Sequence, residues 1–68
     1  MLTVETELEA DGRWIAEIVA LPGVVAYGAT HAEAIRAVQA LALRVAADRL
    51  ERGEDVPEAL LRAFATAA

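Results

Sequence analysis

Three junctions between residues 11 and 34 decide what this chain can fold into: Asp11-Gly12, Pro22-Gly23, and Thr30 paired with Glu33. Asp11-Gly12 can turn a hairpin, because glycine accepts a positive φ without a Cβ clash. Pro22-Gly23 can make a second reversal. Thr30 and Glu33 have the spacing of a capping box, which starts a helix. The order is therefore strand, turn, strand, turn, strand, helix: an α+β chain.

Hydrophobic alternation fixes the strands. Leu2, Val4, Thr6 and Leu8 alternate with Thr3, Glu5, Glu7 and Glu9, and Trp14, Ala16 and Ile18 alternate with Ile15, Glu17 and Val19. A period of two is that of a half-buried strand. A two-residue Asp-Gly loop would pair Glu9 with Trp14 and scatter the glutamates over both faces. A three-residue loop, Ala10-Asp11-Gly12, puts Gly12 at the left-handed position of a G1 bulge and pairs Leu8 with Trp14 and Val4 with Ile18. Val4, Thr6, Leu8, Trp14, Ala16 and Ile18 then share the core face. Glu5, Glu7, Glu9, Ile15, Glu17 and Val19 share the other. The second register is preferred, because a slip of one residue exchanges the faces.

A short third strand is expected over about Val24 to Tyr27. From Thr30 a helix of roughly 20 residues follows, with Ile35, Val38, Ala42, Val45 and Ala46 as its core stripe. Gly53 is a plausible C′ stop. The tail from Glu58 is ambiguous. Its alanines favour helix, yet Leu60, Arg62, Phe64 and Thr66 also alternate as a strand would.

With 68 residues the chain is one domain, 1–68, and a domain this small is marginal without reinforcement. It has no cysteine and one histidine, so disulfides, thiolate metal sites and a histidine-built zinc site are not expected. Oligomerisation remains, and 57% hydrophobic content favours it; a homodimer or larger homo-oligomer is expected. A net charge of −5 argues against gripping nucleic acid. It suits a basic partner, or simply keeps a small domain dissolved. No apolar run reaches the roughly 18 residues that span a bilayer. No secretory leader is recognisable, and cytoplasmic residence is the expectation.

The residue inventory leaves little room for catalysis. Serine, cysteine and lysine are absent, and His31 falls in the first helical turn with no partner in sequence. Gly23 and Gly28 lack phosphate-loop spacing. Trp14 and Tyr27, without interleaved basic residues, read as core. No catalytic, cofactor or metal residue is expected. One feature stands out. The preferred register places Glu5 directly opposite Glu17, an unfavourable pair of like charges, beside Ile15 and Val19. Glu5, Glu7, Ile15, Glu17 and Val19 form a candidate partner or oligomer surface, and Leu43 on the helix is a second contact point.

The run Asp11-Gly12-Arg13-Trp14-Ile15-Ala16, then Leu21-Pro22-Gly23, then Tyr27-Gly28-Ala29-Thr30 with Glu33-Ala34, resembles the HicB-like antitoxin family over about residues 2 to 52. The resemblance implies a two-layer β-β-β-α-β sandwich, a reduced RNase H-like fold. Gly12, Trp14, Pro22, Gly23, Gly28, Thr30 and Glu33 would be its framework. It implies that the tail, about Leu61 to Thr66, is a fourth strand beside the first. It also implies a role: binding a small basic RNA-cleaving HicA-type toxin and blocking its active site, as part of a type II toxin-antitoxin system. Family members often carry a DNA-binding segment after this domain. The chain ends at Ala68, so a short, stand-alone form without direct DNA binding is expected. Val19-Ala20 and Tyr27 depart from the usual pattern, so an oligomeric binding or scaffold protein without a toxin is the alternative.

Overall fold

Gly12 sets the register of the first hairpin. In a computed structural model that describes residues 1–67, its φ is +90°. Its N–H donates to the Glu9 carbonyl at 3.0 Å, and the Glu9 N–H donates to the Arg13 carbonyl at 2.7 Å. This is the three-residue loop closed by a G1 bulge. Strands β1 (Val4–Leu8) and β2 (Trp14–Ile18) are antiparallel, with Val4 opposite Ile18, Glu5 opposite Glu17 and Leu8 opposite Trp14. The preferred register is the observed one.

Two consecutive turns lead to β3 (Val25–Gly28). The Leu21 N–H donates to Ile18, and the Val24 N–H donates to Leu21 across Pro22-Gly23. Gly23 has φ +88°, as the third position of a type II turn requires. Between the turns Leu21 plugs the core and is fully buried. Val24 belongs to the turn, so β3 starts and ends one residue later than the sequence predicts. The sheet order is β1-β2-β3.

Helix α1 (His31–Glu51) opens on Thr30, whose hydroxyl accepts the Glu33 N–H at 3.1 Å. Glu33 reaches back to the Ala29 N–H at 3.1 Å, one residue beyond the usual capping box. At the other end Arg52 is the C-cap. The N–H groups of Gly53 and Glu54 donate to Leu50 and Arg49, a Schellman closure.

The helix lies across the inner face of the sheet and packs mainly on β3 and β2, more lightly on β1. Its buried residues are Ala34, Val38, Ala42 and Ala46. The expected stripe was centred slightly off: Ile35 and Val45 are only half-buried, and Ala34 takes the centre. The cause is Gly28. A Cβ there would fall on the backbone nitrogen of Ala34 and lie 2.8 Å from the Glu33 carbonyl carbon. Only a glycine facing an alanine lets the helix start this close to the sheet. Ala16, also fully buried, keeps the approach close on β2. Among the described residues no polar side chain is buried, and the largest fully buried ones are Leu21 and Val38.

The tail departs from expectation. Residues 61 to 66 form no strand; instead Glu58–Leu61 makes a single helical turn, α2, after Pro57. The Arg62 N–H donates to the Glu58 carbonyl at 3.1 Å. Proline preceding an alanine- and leucine-rich stretch favours a helical start. Leu60 packs against the core, which holds the turn in place. β1 consequently has a free edge. Among the described residues no helix is long and apolar enough to cross a membrane.

Candidate interaction surface

Because α1 covers one face only, the other face of the sheet is open. Strand pleating puts Glu5, Glu7, Ile15, Glu17, Val25 and Tyr27 on it. Glu5 and Glu17 are exposed and directly opposed. Among the described residues no cation lies within ion-pair distance of Glu5, Glu7 or Glu17. Glu5, Glu7, Ile15 and Glu17 line a shallow depression of about 410 Å³ over β1 and β2. Thr6 borders it from the strand, its own hydroxyl lying 3.2 Å from His31 Nε2 on the opposite side of the sheet.

At one end of this face Arg13 is already engaged. Its Nε is 2.8 Å from Asp11 Oδ2, and its guanidinium carbon lies 4.5 Å from the Tyr27 ring centroid. The Arg13 backbone N–H, 3.0 Å from Asp11 Oδ1, and then its guanidinium hold the Asp11 carboxyl below its ordinary value. The other arginines, Arg36, Arg44, Arg49, Arg52 and Arg62, belong to α1, its cap and the tail. Arg52 and Arg62 are themselves paired with carboxylates of the helix and tail, Asp48, Glu54 and Glu58, and the glutamates of the outer sheet face have no such partner among the described residues.

Tyr27 corrects an expectation. It is not a core residue: its partner in the ladder is Ile15, and it is about half exposed. Ala26 and Gly28 take the inward places, where α1 leaves no room for a large ring. Counting parity from the Ile18–Val24 contact across the Leu-Pro-Gly turn would have placed it. Trp14 does face inward, edge-on to His31 with ring centroids 4.8 Å apart. His31 is exposed, and Trp14 and Thr6 are the side chains it touches.

The candidate residues separate into two surfaces. Glu5, Glu7, Ile15, Glu17 and, at the strand end, exposed Val19 belong to the outer sheet face. Leu43 does not. It is exposed on the helix side, at the rim of an apolar groove between β1 and α1. Among the described residues no group of three acidic, histidine or cysteine side chains converges as a metal site would require.

The outer face can accept hydrogen bonds from guanidinium or ammonium groups and bury Ile15 and Tyr27 beneath them. Exposed ion pairs contribute only about 0–1 kcal/mol each. Several together, around an apolar centre, are needed to hold a partner. No protein-family model matches this chain, and no curated protein or solved structure is significantly similar to it.

Proposed function

We propose that this chain is an antitoxin of the HicB-like kind, whose outer sheet face covers a small basic RNA-cleaving toxin. The observation that carries the proposal is the Glu5–Glu17 pair, opposed with no cation beside it among the described residues, next to Glu7 and Ile15. Like charges at directly opposed positions destabilise a sheet. A basic partner turns that cost into attraction and raises the association rate. The sequence resemblance supplies the partner class. The β-β-β-α order supports a reduced RNase H-like sandwich, with the free edge of β1 where a fourth strand would lie. In this role the protein acts in the cytoplasm by occlusion, without catalysis or cofactor.

The test is a mixture with a HicA-type toxin, following RNA cleavage. Stoichiometric protein should abolish cleavage and co-elute with the toxin on sizing. Cleavage that persists in excess protein, with no complex, defeats the proposal. The alternative, an oligomeric binding protein without a toxin, is favoured by a different observation: the apolar groove rimmed by Leu43.

A further inference from the structure

The second surface lies on the other side of the sheet. Because α1 leans toward β3, it covers the inner side of β1 less fully and leaves part of it open. The gap is a groove of about 330 Å³, lined by Leu2, Val4, Ala42, Leu43 and Leu60 with Gln39 as its polar member. Among the described residues no charged side chain lines it. Beside it β1 is an unpaired edge. The Val19 N–H donates to the Thr3 carbonyl and the Glu9 N–H to Arg13. By antiparallel alternation the odd-numbered residues of β1 therefore bond to β2, and the N–H and C=O groups of Val4, Thr6 and Leu8 point outward. Such an edge is a template for another chain.

The chain also carries an apolar group with nowhere to go. After Leu60 the backbone turns again, the Phe64 N–H donating to Leu61. Phe64 is left 75% exposed, and Leu43 at the groove rim is 62% exposed. An empty apolar groove and an unused aromatic side chain on one molecule are complementary halves of a single contact. A two-fold axis satisfies both at once, because each copy gives its aromatic residue and receives the other's.

The surface area agrees with this. The chain exposes 4991 Å², whereas a folded monomer of its mass exposes about 4,100 Å². The surplus, about 900 Å², is close to the roughly 800 Å² that one partner contributes to a standard interface. The radius of gyration is 13.6 Å, against about 11 Å for a compact domain of this length. Charge selects the occupant too. Two copies meeting on the outer sheet face would set Glu5, Glu7 and Glu17 against each other, whereas the mostly apolar groove brings them together without that repulsion.

We infer that the groove between β1 and α1 is a homodimer interface, in which Phe64 of a second copy of this chain fills the space beside Leu43. This inference does not depend on the toxin. The outer sheet face remains free in the dimer.

Sedimentation equilibrium tests it together with cysteine cross-linking. The natural chain should have twice the 7.2 kDa chain mass, and Phe64→Asp or Leu43→Glu should bring it to one chain mass. Glu5→Arg with Glu17→Arg should leave the dimer intact. Where a variant unfolds on losing its partner, cross-linking decides. The chain has no cysteine, so a mixture of Leu43→Cys and Phe64→Cys copies should form one disulfide between chains. A monomeric natural chain, a dimer indifferent to both apolar substitutions, or the absence of a disulfide between Leu43→Cys and Phe64→Cys copies overturns the inference.

Discussion

At residue scale, two glycines carry the fold for different reasons. Gly28 is there because of space: a Cβ would collide with the first turn of α1. Gly28→Ala must push the helix outward, and overpacking of this kind costs about 1–3 kcal/mol. For a 68-residue domain, whose total stability is of the order of 3–10 kcal/mol, that loss is severe. Urea denaturation should show the midpoint collapsing. Gly12 is there because of backbone conformation. A Cβ would meet nothing within 4 Å, so Gly12→Ala should cost only the left-handed penalty, about 1–2 kcal/mol. The two losses can be of similar size, so structure separates them: Gly28→Ala should shift the amide NMR signals of the first turn of α1, Gly12→Ala only those of its own turn. An undisturbed helix start in Gly28→Ala would show that space is not what fixes Gly28. In the same turn Asp11 has a lowered carboxyl pKa. Its bond to Arg13 therefore stabilises the hairpin above the ordinary aspartate value, and that contribution is lost as pH falls through the lowered folded value. An NMR titration of the Asp11 carboxyl should show the shift, and Arg13→Ala should reduce it.

At the scale of elements, turn and cap chemistry was legible because it is local. Asp11-Gly12, Pro22-Gly23 and Thr30 with Glu33 each act through neighbours in sequence, and all three do what their residue types dictate. Thr30→Ala should lower stability by about 1 kcal/mol, read as a shift in the denaturation midpoint. Features set by distant contacts were not legible. Ala34 displaces Ile35 at the centre of the helix stripe only because Gly28 faces it. Tyr27 turns outward because Ala26 and Gly28 hold the places under α1. In the tail, Leu60 and Leu61 satisfy both a period of two and a helical turn, so sequence alone could not choose. The Glu5–Glu17 pair gives a prediction with two opposite readouts. Glu17→Thr should raise stability, by about 0.2–1 kcal/mol, while weakening toxin binding. A variant that binds as well as the natural chain would free the glutamates from any recognition role.

At the scale of the whole molecule, one sheet carries two unlike surfaces. The outer face is acidic with an apolar centre; the groove between β1 and α1 is mostly apolar. Helix α1 creates the difference by covering β3 and β2 more fully than β1. The hairpin register made the first surface legible, because it sorted the glutamates onto one face. The second could not be read from sequence, since it depends on where the helix settles and where the tail turns. A partner on the acidic face and a copy in the groove, as proposed, would not compete for residues.

The most direct test is an amide NMR titration of isotope-labelled protein with a HicA-type toxin. The largest shifts should fall on Glu5, Glu7, Ile15, Glu17 and Tyr27, should weaken with added salt, and should vanish in the Glu5→Arg, Glu17→Arg double variant. Shifts confined to the groove around Val4, Leu43 and Leu60, or no shifts at toxin excess, would contradict the assignment of the outer sheet face as the recognition surface.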